Sequence, residues 1–202
     1  MILGAALVAG ALSLFLYNTR QEQAAEQSSQ QLMPILIEEI QEQQQSGQAP
    51  TTYEQPVGTP IEHLDPEAFE MTEVEIDGYL YIGYLSIPSA GLELPVMSDW
   101  DYTRLRVAPC RYCGSVRGED LVIMAHNYAR HFGGLSSLSE GDSVTFTDMD
   151  GITTVYQVVA HDILQPTAVE EMTSGDFDLT LFTCTYGGRS RVTVYCDLVQ
   201  DD

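Results

Sequence analysis

Apolar and polar positions divide the chain into three regimes. Ile2 to Tyr17 is an unbroken run of 16 apolar or small residues, with Ser13 its only polar member. That is slightly short of the roughly 20 residues a membrane-spanning helix needs. A cleaved signal peptide should have a basic start and a small-residue cleavage site. This run has no basic start and meets Asn18-Thr19-Arg20, so an uncleaved membrane anchor over residues 1–20 is the favoured reading. The missing basic start also points to a true N-terminus upstream of Met1. Gln21 to Ala49 carries ten glutamines around an apolar cluster of Leu32, Ile35, Leu36, Ile37 and Ile40. It has helix-forming composition but no sustained heptad. It predicts a polar spacer with one short amphipathic helix, Met33 to Gln45, or else a partly disordered stalk. Pro50, Pro56, Pro60 and Pro66 mark a linker, so residues 21–70 form a spacer and 71–202 a separate domain.

From Val74 the pattern becomes β. Gly78 to Ile87 predicts a strand, Pro88 to Gly91 a turn, and Leu92 to Met97 a returning strand. Leu121 to Ala125 is a short, fully apolar strand. Ser143 to Thr147 and Thr153 to Ala160 flank the turn signal Met149-Asp150-Gly151. Asp178 to Thr183 and Arg191 to Leu198 flank Gly187-Gly188. Helical signal is weak: Asp101 to Arg106, a turn near Gly134 to Ser137, and Ala168 to Met172. Seven or eight short strands imply an all-β barrel or sandwich.

Charge narrows the choice. The chain carries a formal net charge of -22, with 8 basic residues, all arginine. Nucleic-acid binding is excluded as a function, because neutralising phosphates needs a basic face. Attraction to anionic lipid is disfavoured for the same reason. Four cysteines are too few for a disulfide-stapled miniprotein of this length. Cys110-x-x-Cys113 has no second pair at zinc spacing and no βαβ setting for redox work. Free structural thiols are favoured there over a disulfide, with Cys196 the candidate partner of Cys110 or Cys113. Asp142, Asp148 and Asp150 lack calcium-loop spacing and read as solvated turns. No cofactor or metal is implied.

The chemistry-bearing residues cluster late. Cys184 ends one strand, and Arg189 and Arg191 lie where the next begins. A thiol facing guanidinium groups is a plausible activated nucleophile, although a half-buried structural cysteine fits equally well. His126 directly follows the strand Leu121 to Ala125, and a histidine at a strand end is placed to act as base. His131, in a loop, and His161, ending a strand, are weaker candidates. Cys196 falls on the strand face opposite Arg191, which suits packing.

Thr180-Leu181-Phe182-Thr183-Cys184 resembles the Thr-Leu-x-Thr-Cys signature of the sortases, cysteine transpeptidases of Gram-positive cell surfaces. His126-Asn127 is similar to that family's catalytic histidine and its neighbour, and Arg191 to its essential arginine. Gly83-Tyr84-Leu85-Ser86-Ile87-Pro88 with Leu94-Pro95-Val96 resembles its opening strands. Residues 74 to 199 share the likeness. It implies a closed eight-stranded β-barrel with short helices, held outside the membrane by a single-pass N-terminal anchor. It implies cleavage of a Leu-Pro-x-Thr-Gly-like sorting signal on a surface protein or pilin, through a thioacyl intermediate at Cys184. An amine from a peptidoglycan precursor or a pilin would resolve that intermediate.

In that scheme His126, Cys184 and Arg191 are catalytic, with Arg189 the rival arginine. Asn127, Thr183 and Arg189 are candidate substrate contacts. The segment Gln165 to Asp176 shapes the pocket; it is short and lacks a long helix, which argues against the class B pattern. Asp65-Pro66 is similar to the lid dipeptide of pilin-building sortases, with a linker turn as the simpler reading. Two alternatives stay open on the residues. One is a non-catalytic extracellular β-domain on a membrane stalk. The other is another extracellular cysteine peptidase, although the Ser-His-Gly-Cys setting of L,D-transpeptidases is missing.

Overall fold

The computed structural model describes residues 2–45 and 70–199. A helix, α1, runs Ile2–Gln45. The β strands follow: β1 Val74–Ile76, β2 Tyr79–Ile87, β3 Leu92–Met97, β4 Cys110–Cys113, β5 Leu121–Ala125, β6 Ser143–Asp148, β7 Thr153–Leu164, β8 Leu179–Cys184 and β9 Arg191–Leu198. A four-residue helix, α2, spans Val169–Met172 between β7 and β8. The segment Gln165 to Asp176 therefore holds no long helix.

The strands hydrogen-bond in the order β1-β2-β3-β4-β5-β8-β9-β7-β6, and β6 also pairs with β2. That last pairing closes β2 to β9 into an eight-stranded barrel, with β1 a short flap on the outside of β2. Closure removes the unpaired edges that make an open sheet prone to association. Most neighbours are antiparallel, but β3–β4 and β5–β8 run parallel. The β5–β8 pair matters most, because it aligns two strand ends at one rim.

Alternation sorts side chains inward and outward. Leu121, Ile123 and Ala125 of β5, Leu179 and Leu181 of β8, and Val194 and Cys196 of β9 join Ile82, Leu85, Phe146 and Tyr156 in the barrel core. Val122, Phe182 and Met172 form a separate cluster on the outer face, joined by Tyr112, Met124 and Leu164. This explains the sequence pattern: β5 is apolar throughout because both of its faces are covered.

Two sequence expectations are revised. First, β4 occupies the Cys110-x-x-Cys113 stretch, where no strand is predicted. Its residues do not alternate cleanly, and its pairing with β5 shifts register between Arg111 and Cys113. Second, the helix is not confined to Met33–Gln45, and no part of 21–45 is a disordered stalk. α1 is continuous, and Ala25, Ser29, Leu32, Leu36 and Ile40 form a buried stripe at helical spacing. Leu32, Leu36 and Ile40 pack on the outside of the barrel against Ile76, Tyr81, Met97 and Leu105. The membrane anchor over residues 1–20 is not confirmed: no helix among the described residues is long and apolar enough to cross a membrane. The Pro50 to Pro66 linker and Asp65-Pro66 lie outside the described residues.

All four cysteines are free thiols; Cys110 and Cys196 are buried. They sit in different apolar clusters, and burial pushes both thiols up to about 12. The acidic turn residues serve as acceptors. Asp142 takes the Ser139 amide, Asp148 the Ile152 amide, and Asp150 pairs with Arg117 at 2.8 Å.

Candidate active site

The rim where β5, β8 and β9 meet brings the candidate residues together. Parallel β5 and β8 pair Ala125 with Thr183, so the next residue on each strand, His126 and Cys184, emerges side by side. Antiparallel β8 and β9 pair Cys184 with Arg191. Three residues spread over 66 positions of sequence thus become neighbours through backbone register alone. Cys184 and Phe182 share a face, as do His126, Met124 and Val122 on β5. The thiol and the imidazole therefore belong to the outer face of the barrel and not to its core.

The turn that separates thiol from guanidinium is built for a tight reversal. Gly187 and Gly188 both have positive φ, 83° and 70°, which a side chain would oppose. Thr185 and Ser190 close the turn with a backbone bond of 2.9 Å and with the Thr185 hydroxyl accepting the Ser190 amide at 3.0 Å. The Arg191 guanidinium folds back over this turn, donating to the Gly188 and Ser190 carbonyls at 3.3 and 3.2 Å. A guanidinium has five N–H donors, and both of these bonds come from Nη1. Arg189 is exposed on the turn itself.

Thr183 has a different place from the one its spacing suggests. It is 3% exposed, and its hydroxyl donates to the Ala125 carbonyl at 2.8 Å. It ties β8 to β5 directly beneath the two strand ends. Asn127 is half-buried beside His126. His161 lies exposed on β7, opposite Val194.

His126 is half-buried, and its pKa lies below the ordinary histidine value, chiefly through burial and then through the charge of Arg106. Burial thus favours the neutral imidazole. Arg106 belongs to the turn Arg104–Arg106 ahead of β4. Pairing of Cys110 with Met124 carries that segment along β5 toward its His126 end. Four arginines are ion-paired: Arg104 with Asp101, Arg111 with Glu73, Arg117 with Asp150 and Arg130 with Glu26. Arg106, Arg189 and Arg191 form no ion pair among the described residues, and all three lie around this rim.

The floor beside the site is aromatic and apolar. Tyr112 meets Phe182 edge-on at 5.3 Å, and Trp100 stacks on Tyr112 at 5.7 Å. The segment before β8 walls this floor. Met172 packs against Val122 and Phe182, Phe177 stacks on Tyr195 at 4.3 Å, and the Tyr195 hydroxyl donates to the Glu171 carbonyl at 3.3 Å. A cavity of about 510 Å³ opens elsewhere, between α1 and the β2–β3 edge, lined by Ser29, Met33, Ser86, Leu92 and Arg130 among others. None of Cys184, His126 and Arg191 lines it.

Sequence reasoning passes over Tyr128, Arg106 and the aromatic floor. Tyr128 had a signal in its neighbours, since it falls between His126 and His131. Arg106 and Trp100 had none, because only the unpredicted strand β4 brings their segment to this face.

One rim of this closed barrel thus carries a strand-end thiol, an imidazole and a guanidinium that backbone register brings together. The sortase domain family model matches residues 85–199, more than half of the chain, and the chain belongs to the sortase family. Sortase C1 of Streptococcus agalactiae is similar at 27% identity, over 63% of this chain and 72% of that one, with a TM-score of 0.55. Sortase C1 of Streptococcus suis is similar at 27% identity, over 60% and 74%, with a TM-score of 0.52. Sortase A of Corynebacterium diphtheriae, at 21% identity and a TM-score of 0.56, shares the fold over 96% of this chain and 97% of that one. No curated protein sequence matches the chain.

Proposed function

We propose that this sortase is a cysteine transpeptidase acting on a Leu-Pro-x-Thr-Gly-like sorting signal, with Cys184 as nucleophile, His126 as acid–base and Arg191 as oxyanion donor. One observation carries the reading: the paired registers of β5, β8 and β9 set these three residues side by side on one outer rim. Family membership supports the reaction class, and the apolar floor of Val122, Phe182 and Tyr112 suits the leucine and proline of such a peptide.

The chemistry follows from the geometry. Neutral His126 accepts the Cys184 proton as Sγ bonds to the threonine carbonyl carbon. The carbonyl oxygen gains negative charge beside the Arg191 guanidinium. Collapse breaks the Thr–Gly C–N bond, and the imidazolium returns its proton to the leaving glycine amine. A thioester remains on Cys184. An incoming amine then loses a proton to His126, attacks the thioester and expels the Cys184 sulfur, which regains the proton. The peptide bond broken in the first half is replaced by one formed in the second, and the enzyme returns unchanged.

The amine would come from a cell-wall precursor or a pilin, placing the barrel outside the cell. Attachment to the membrane through the start of α1 is part of this proposal. Leu7, Val8, Leu12, Phe15 and Leu16 are all more than half exposed there, an apolar surface that suits a lipid environment.

The test is a fluorogenic Leu-Pro-x-Thr-Gly-type peptide offered to the full chain, with and without an amine and with a thiol blocker. Cleavage that the amine diverts into a ligated product, and that the blocker stops, is expected. Cleavage insensitive to the blocker would overturn the reading.

A further inference from the structure

Downstream of His126 the chain folds back on itself. The Phe132 amide donates to the His126 carbonyl at 3.1 Å, and the His131 and Gly133 amides both donate to the Tyr128 carbonyl, at 3.0 and 2.9 Å. Gly133 is needed for this approach, since a Cβ there would lie 2.7 Å from the Tyr128 carbonyl oxygen. The loop thereby brings three rings into tilted contact. His126 and Tyr128 lie 4.8 Å apart at 37°, and Tyr128 and His131 lie 5.5 Å apart at 46°.

The bottom ring is fixed. His131 is 0% exposed, and neither of its ring nitrogens has a hydrogen-bond partner among the described residues. It contributes shape rather than polarity, as a flat wall under Tyr128. The outer side of the loop is held as well, because Arg130 pairs with Glu26 of α1 at 3.1 Å. Tyr128 therefore contacts both imidazoles and has a tethered backbone on both sides.

We infer that Tyr128 is a positioning residue, clamped between His131 and His126 so that the His126 ring is held in one orientation toward Cys184. The role rests on the transpeptidase reading above. A strand-end imidazole otherwise turns freely about χ1 and χ2, and a misplacement of about 1 Å at a reacting group can cost 10²-fold in rate. The stack also shields His126 from water, in keeping with burial as the main reason its pKa is low. The charged and titratable groups around this assembly are few. Arg106, from the turn before β4, acts on both His126 and Tyr128. Tyr17 and Glu22 of α1 face Tyr128. His131 faces His126, and Cys184 adjoins it through the β5–β8 register.

The test compares Tyr128→Phe, which keeps the ring, with Tyr128→Leu and Tyr128→Ala, which remove it. Two readouts are taken on the full chain. Peptide turnover gives kcat and KM, and NMR titration of His126 is run with each change combined with Cys184→Ala. Tyr128→Leu and Tyr128→Ala are expected to lower kcat about tenfold or more with little change in KM. They should also raise the His126 pKa toward the ordinary value of about 6.5. Tyr128→Phe should restore both. A folded Tyr128→Leu protein with wild-type kcat and an unmoved His126 titration would overturn the inference. So would a Tyr128→Phe protein as impaired as Tyr128→Leu. If even the unaltered protein fails to turn over peptide, the transpeptidase reading falls. The titration still decides whether Tyr128 packs over His126.

Discussion

His131 makes a stability prediction of its own. Burial lowers its pKa to about 4, and the neighbouring His126 adds to the effect. The unfolded chain, with a histidine near 6.5, binds the proton more readily than the folded one. Its contribution to stability is thus complete above pH 6.5 and is lost as pH falls toward 4. His126, shifted the same way, adds loss of the same sign. Urea unfolding at pH 7 and pH 5 should show the His131→Phe variant losing about 2 kcal/mol less than the wild type over that interval. Equal losses would mean that His131 is not buried as a neutral ring. The two arginines of the β8–β9 turn can also be separated at this scale. Arg191→Ala should lower kcat about 10²–10³-fold, as removal of an oxyanion donor does. Arg189→Ala, exposed and farther along the turn, should stay close to wild type. Single-turnover rates on one peptide would tell them apart, and the opposite ranking would reassign the donor. These residues were legible before the fold was known because each ends or begins a strand, where polarity interrupts an apolar run. Tyr128 was not, because its importance lies in a stack that no spacing rule encodes.

Among the elements, the β5–β8 pairing does the most to assemble the proposed site, and it was the least visible in sequence. Both strands could be read from their apolar runs, but a parallel partner 58 residues away leaves no local trace. The Thr183 hydroxyl on the Ala125 carbonyl is its side-chain signature. Thr183→Val keeps the shape and removes the bond, and should cost about 1 kcal/mol of stability while slowing acylation more than it weakens peptide binding. A variant with lost stability and intact kinetics would confine Thr183 to packing. β4 was missed for a related reason: Cys110-Arg111-Tyr112-Cys113 has no alternation, and its strand character comes from pairing with Met124, Ile123 and Val122. The reach of α1 was missed because its buried stripe begins with Ala25 and Ser29, residues too small or polar to register as hydrophobic. Leu36, fully buried against the barrel, offers the check. Leu36→Asp should raise amide exchange across residues 25–45 and leave β5 and β8 protected. Unchanged exchange in α1 would contradict its docking.

Taken whole, the molecule is an acidic chain in which Arg106, Arg189 and Arg191 form no ion pair among the described residues. With 30 acidic residues against 8 basic ones, its net charge disfavours an anionic partner. Strand counting reached only a barrel or a sandwich; the closed eight-stranded barrel was legible through the sortase resemblance, since closure depends on β2 pairing with both β3 and β6. The central claim is that Cys184 takes an acyl group from a threonine carbonyl while His126 and Arg191 assist. Intact-protein mass spectrometry of the full chain mixed with a Leu-Pro-x-Thr-Gly-type peptide tests this most directly. The expected result is an adduct equal to the peptide cut after threonine, located on Cys184, discharged by an added amine and missing from Cys184→Ala. An adduct on another residue, or full amine-dependent ligation by the Cys184→Ala protein, would contradict it.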